Sequence, residues 1–203
     1  MGVIILLLLL IKVFIPRPDI RGEIEDLRRD AAPKFDSLNN QMAAEKRFFD
    51  SVQYLILSGQ LTAADNVIDQ LLKQQPQNDR YLTLKGQVFD ALGLYDSALH
   101  YYNAALMIFP YSDAGIEKAK TLIKIKQYPE AIQEYRRAYE DNYDFSYPLA
   151  RVFELNKQKD SAIRYYNIYL EHYPDSLFQA LKQRGIYIYP PDSVKLKISN
   201  LKK

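Results

Sequence analysis

Four stretches of the chain can be laid over one another: LTAADNVIDQLLKQQP (61–76), YDSALHYYNAALMIFP (95–110), YPEAIQEYRRAYEDNY (128–143) and KDSAIRYYNIYLEHYP (159–174). Each opens on a turn-like dyad and carries alanine at its fourth position: Ala64, Ala98, Ala131 and Ala162. The eighth position is large, as Ile68, Tyr102, Tyr135 and Tyr166, and the eleventh is Leu71, Ala105, Ala138 and Tyr169. The first, second and fourth stretches end in proline. Each follows another segment with apolar residues at three- and four-residue spacing: FFDSVQYLILSG (48–59), YLTLKGQVFDALG (81–93), IEKAKTLIKIKQ (116–127) and PLARVFELNKQ (148–158). That spacing is helical. The unit is therefore helix A, a short turn and helix B, recurring every 34, 33 and 31 residues between the alanines. A tandem unit of this length constrains the fold more than any other feature, because one helix pair cannot bury its apolar face and stacked pairs can.

In these positions the chain resembles the tetratricopeptide repeat (TPR) family. Residues 79–111 carry the pattern most fully, with Leu82, Gly86, Phe89, Gly93, Tyr95, Ala98, Tyr102, Ala105 and Pro110. Residues 45–78 carry Phe48, Leu55, Gly59, Leu61, Ala64, Ile68, Leu71 and Pro76. The third unit, 112–142, has Ala119, Leu122, Tyr128, Ala131, Tyr135 and Ala138, with Tyr143 where proline is usual. The fourth, 143–174, has Leu149, Ala150, Phe153, Ala162, Tyr166 and Pro174, with Tyr169 in a slot that is usually alanine. The resemblance implies an all-α fold: a right-handed α-α superhelix of about four helix-turn-helix repeats plus a C-terminal capping helix. Alanines at the tight crossings, an aromatic filling the gap to the next unit and proline ending helix B suit that packing. The intervals of 33 and 31 residues predict shortened junctions around 112–114 and 141–146. The segment DSLFQALKQRG (175–185) is expected to be the cap, with Leu177, Phe178 and Leu181 facing inward; residues 186–203 suit a short helix better than a strand.

Outside the repeats, residues 3–11 read VIILLLLLI and the apolar run continues past Lys12 to Ile15. A full span takes about 20 apolar residues, so the run is short, but Lys12 can snorkel to the headgroups. No basic region precedes it and no small-residue cleavage site follows, so residues 1–16 are expected to be an uncleaved anchor; a signal peptide, or a chain whose true start lies upstream, is the other reading. Lys12, Arg17, Arg21, Arg28 and Arg29 all follow the run, which favours the cytoplasmic side, with the extracytoplasmic side the alternative. Residues 17–44 form a connecting segment; Pro16 and Pro18 break a helix from the anchor, Asp19 can cap a new one, and Ile20, Ile24, Leu27 and Ala31 give it a thin apolar stripe. Residues 175–203 are the cap and tail.

The totals exclude several chemistries. There is no cysteine, which removes disulfides, thiolate zinc sites and thiol nucleophiles. The net charge is +2 with no long basic run, which argues against a nucleic-acid surface. No glycine-rich phosphate loop occurs, so no cofactor and no small-molecule substrate are expected. The two histidines, His100 and His172, are far apart; His100 falls between packing slots on the outer side of a helix B, and His172 suits a helix C-terminus. No nucleophile, base and orienting group can be assembled, so the chain is read as no enzyme. The family resemblance implies a protein partner, a peptide or helix, in the concave groove lined by helix A. The groove positions are Lys46, Phe49, Gln53 and Ile56 in the first repeat, and Arg80, Thr83, Gln87 and Asp90 in the second. The third offers Ile116, Lys120, Ile123 and Lys124, and the fourth Tyr147, Arg151 and Glu154. The carboxylate clamp of the chaperone-binding subset is not implied, because Phe49, Gln53 and Leu84 stand where it needs lysine and asparagine. Two roles fit: a membrane-tethered adaptor, or a fixed structural or assembly subunit of a larger membrane complex.

Overall fold

Alternation of helix and turn runs the length of the computed structural model, which describes residues 20–141 and 145–203. Ten helices are found among the described residues: α1 (Ile20–Leu57), α2 (Leu61–Gln74), α3 (Asp79–Ala91), α4 (Tyr95–Ile108), α5 (Ala114–Lys124), α6 (Tyr128–Asp141), α7 (Ser146–Leu155), α8 (Lys159–His172), α9 (Asp175–Gln183) and α10 (Pro191–Leu201). The apolar run 3–15, with the anchor read onto it, lies outside the described residues, as do Asp19 and Tyr143. Among the described residues no helix is long and apolar enough to cross a membrane.

The chain divides into two units, Met1–Ser51 and Val52–Lys203. In the first, the described residues belong to α1. This helix does not stop between the connecting segment and the first repeat; it runs unbroken from Ile20 into helix A, with Pro33 inside it. The sequence reading divided these residues at 44/45, whereas the helix carries no break there. A proline costs one ladder hydrogen bond and a local clash, which long helical flanks can absorb.

The second unit is the solenoid. Helix α3 pairs with α4, α5 with α6 and α7 with α8, as helix A and helix B of successive repeats, and α2 packs on α3. The apolar slots pack as their spacing requires. Ala64, Ala98, Ala131 and Ala162 are all fully buried, and Ile68, Tyr102, Tyr135 and Tyr166 are buried beside them. Each such large side chain contributes about 1.5–3 kcal/mol by leaving water. The backbone of α3 comes close to its partner helix at Gly86, where a Cβ would lie 2.5 Å from Cε1 of Tyr102.

Every A-to-B turn uses one residue in the left-handed region: Gly59 and Gly93 at φ 76°, then Lys126 at 64° and Lys157 at 60°. In each, that residue's N–H returns to the helix: Gly93 to the Asp90 carbonyl, Lys126 to Ile123 and Lys157 to Glu154. The following N–H reaches one residue further back, Leu94 to Phe89, Gln127 to Leu122 and Gln158 to Phe153, as in a Schellman turn. The repeated geometry fixes a common register for the A helices. The shorter intervals prove to be taken from the A helices themselves, which are 13, 11 and 10 residues long in α3, α5 and α7, while α4, α6 and α8 each keep 14.

The C-terminal end departs from expectation. Helix α9 buries none of its residues; Leu177 is exposed, and Phe178 and Leu181 are partly so. The covering is done by α10, which packs on α8 and buries Pro191, Val194 and Ile198. Two prolines, 190 and 191, bar a helix directly before it and place Pro191 at the favourable first position. Helix α10 is also wired to its neighbour like a repeat. Lys124 of α5 pairs with Asp90 of α3, 34 residues earlier. Lys197 of α10 pairs with Glu154 of α7, 43 residues earlier at 3.4 Å. Asp90 and Glu154 hold the same place, three residues before the left-handed turn residue.

Candidate functional site

The register places three rows of side chains along the A helices. The first row is Thr83, Ile116 and Tyr147; the second is Gln53, Gln87, Lys120 and Arg151; the third is Ile56, Asp90, Ile123 and Glu154. Lys46 and Phe49 belong to the N-terminal unit, where Lys46 is exposed and Phe49 half-buried.

Within the solenoid the second row is the open one. Gln53 and Gln87 are half-buried, and Lys120 and Arg151 are exposed. Gln87 keeps a buried side-chain oxygen with no hydrogen-bond donor among the described residues. Lys120 pairs with Glu117 of its own helix at 2.7 Å. Burial works against the charge of Arg151, but a hydrogen bond with Tyr147 and the neighbouring Tyr166 and Glu154 outweigh it, so its pKa is raised. Arg80 is exposed at the start of α3.

Other groove candidates turn inward or to one another. Thr83 is buried, and its hydroxyl donates to the Asp79 carbonyl one turn back in its own helix at 2.7 Å. Asp90 and Lys124 are brought together between α3 and α5, where Thr121 also donates to Asp90 at 2.7 Å. That cluster sits on Tyr102, whose hydroxyl is pushed well above its usual pKa by burial first and then by the Asp90 and Glu117 charges. Glu154 accepts from Tyr166 at 2.5 Å as well as from Lys197.

Tyr147 is the largest departure. It is buried, not an open anchor, because the chain's own residues cover it. The ring of Tyr189 stacks on it with centroids 3.5 Å apart and planes 15° apart. Tyr169 donates its hydroxyl to the Tyr189 carbonyl at 2.8 Å. Tyr189 was not among the sequence candidates, although YPP at 189–191 carries a signal: a residue before proline is held extended. Two further buried polar groups were also missed. Lys85 of α3 reaches Asp65 at 2.7 Å and Asp69 at 2.5 Å on α2. Glu134 of α6 pairs with Lys118 of α5 at 2.8 Å. Both join adjacent helices. A concavity of about 230 Å³ lies beside Glu134, between Tyr111, Ser112, Arg137 and Phe145. Among the described residues no group of acids and histidines could hold a metal ion. His100 is exposed, with its ring edge against Tyr101.

Helix pairs stacked in fixed register define the class of the α-α solenoids. A family model for the tetratricopeptide repeat matches residues 50–113 and 116–176. The chain belongs to the tetratricopeptide repeat family. No curated protein is similar enough to match it. Among solved structures it is similar to MamA from Desulfovibrio magneticus RS-1, at 17% identity and TM-score 0.54, over 77% of this chain and 92% of that one. It is similar also to a thermophilic TPR protein of Thermus thermophilus, at 14% identity and TM-score 0.58, over 76% and 79% of the two chains. A third likeness, to the Thermobaculum terrenum O-GlcNAc transferase, has 18% identity and TM-score 0.58 and covers 67% of this chain but 27% of that one. At these identities the likeness is one of fold.

Proposed function

We propose that the chain is a non-catalytic scaffold that holds a peptide or helix of a protein partner in its concave groove, tethered to a membrane by residues 3–15 with the repeats on the cytoplasmic side. One observation carries the groove reading. Gln87, Lys120 and Arg151 stand at one register position of three successive A helices, with Lys120 and Arg151 exposed and Gln87 half-buried with an unpartnered side-chain oxygen. Amides and cations at that spacing suit the backbone and carboxylates of an extended chain. Tethering rests on the sequence of residues 3–15 alone.

The test uses the full chain as bait in mild detergent extracts of native membranes. Lys120→Glu with Arg151→Glu should lower capture of a stoichiometric partner at least tenfold, with the melting temperature unchanged. Equal capture by the double variant refutes the groove reading. The same preparations check the tether: replacing Leu6–Leu10 by serine should release the bait from washed membranes, and protease added to intact cells should leave the repeats uncut.

A further inference from the structure

The groove of this protein already contains an extended peptide, and it is the protein's own. Residues 186–190, Ile-Tyr-Ile-Tyr-Pro, have no regular secondary structure and run between α9 and α10. Tyr189 lies flat on Tyr147 of the fourth helix A. It also lies 6.3 Å edge-on from Tyr169 of the fourth helix B. Its backbone carbonyl takes the Tyr169 hydroxyl hydrogen bond. Arg151 and Lys120, the two cations of the open row, are close enough to act on its hydroxyl. The contact therefore has the parts of a peptide-recognition site: an aromatic platform, a donor for one backbone carbonyl and cations flanking a phenol. Pro190, at φ −60° and ψ 128°, keeps the segment extended as it leaves.

The segment is lightly held on its N-terminal side. Helix α9 buries nothing. An ion pair between Asp175 and Lys195 at 2.9 Å ties it to α10, with both side chains half or more exposed. Tyr187 next to Tyr189 is 81% exposed. So residues 175–189 can leave the groove with the loss of the Tyr147 stack, the Tyr169 edge contact and hydrogen bond, and one exposed ion pair, while Val194 and Ile198 keep α10 in place.

Resting on the groove reading above, we infer that the fourth-repeat end of the groove is a subsite for an extended segment bearing tyrosine followed by proline. In this chain residues 186–190 fill it, and a partner segment of the same chemistry competes for it. Tyr147 is the platform, and the Tyr169 hydroxyl reads the backbone carbonyl of the bound tyrosine.

The probe is a fluorescein-labelled peptide of residues 186–193, read by anisotropy against the full chain in detergent. Tyr189→Ala should empty the subsite, so the peptide should bind this variant at least tenfold more tightly than the wild type. Adding Tyr147→Ala, or replacing the probe's own Tyr189 by alanine, should abolish that binding. Tyr189→Leu, which keeps apolar bulk but no flat ring, is a second variant held to the same comparison should the alanine variant lose its melting transition. Equal binding to wild type and variants, or none to a variant that melts normally, overturns the subsite. If the probe fails but partner capture still depends on Lys120 and Arg151, the subsite is wrong and the groove reading stands. If the probe binds as expected but capture ignores those residues, the reverse holds.

Discussion

Replacing Gly86 by alanine should destabilise the solenoid although alanine is the better helix former. Gly86 sits inside α3, where the exchange by itself gains about 1 kcal/mol in an exposed helix. Here the new Cβ would stand 2.5, 2.7 and 3.0 Å from three ring carbons of Tyr102. Carbon atoms pack at about 3.5–4.0 Å, so the ring must retreat by roughly 1 Å. It has nowhere to go: Tyr102 is 1% exposed, and its hydroxyl bonds to Thr121, which is tied in turn to Asp90. Overpacking of this kind costs about 1–3 kcal/mol, and straining a buried hydrogen bond about 1 more. The net is a loss of about 2 kcal/mol, which for a chain of this size lowers Tm by roughly 4–8 °C. The assay is a double-mutant cycle by urea unfolding, with Tyr102→Val as the second change, because valine ends short of the clashing ring atoms. In that background Gly86→Ala should stabilise by about 0.5–1 kcal/mol, giving a coupling near 3 kcal/mol. An equal effect of Gly86→Ala in both backgrounds would falsify the close-approach argument.

The buried tyrosines predict alkaline unfolding. Burial pushes the Tyr135 and Tyr169 hydroxyls up to about 12 and those of Tyr102 and Tyr166 further, the last helped by its bond to Glu154, while in the unfolded chain they ionise near 10. A raised acid contributes stability that is whole below pH 10 and falls as pH rises from 10 toward 12, by about 1.4 kcal/mol per pH unit for each tyrosine. Urea midpoints should drop steeply in that window and less steeply in Tyr135→Phe; a flat profile would count against burial of the hydroxyls. At the C-terminal end, Ile198→Ala should cost about 2–4 kcal/mol and Leu177→Ser under about 0.5, since the first side chain is in the core and the second in water. Comparable losses in thermal melts would mean that α9 shares the capping.

Where the sequence could be read, one physical constraint acted on each residue. The alanine and tyrosine slots report helix crossings every turn of the array, so they were legible from spacing. Thr83 was misread because a groove register says where a Cβ sits and not whether its hydroxyl bonds back to its own helix. Asp90 and Lys124 were each placed correctly on helix A, but their union depends on how adjacent units rotate, which no single repeat encodes. The cap went to 175–185 because its amphipathic pattern is stronger than that of 191–201, yet amphipathicity does not say which helix reaches the open end. Tyr169 was the available clue. A large ring in an alanine slot leaves no room for an ordinary next unit, and here it contacts Tyr189 instead.

The pairing of Lys197 with Glu154 carries a consequence for how such a chain can change in length. The terminal helix docks on the face that any following repeat would use, and grips it through the same acidic position that Asp90 offers to Lys124. It packs on a helix B and reaches the acidic position of the helix A before it, not a feature of a particular repeat. The excursion through α9 absorbs the extra nine residues without entering the core. A duplication of one whole unit upstream would therefore present an equivalent face to the same closing helix. The end piece is interchangeable hardware, and the number of repeats is free to grow or shrink while both ends of the array stay as they are.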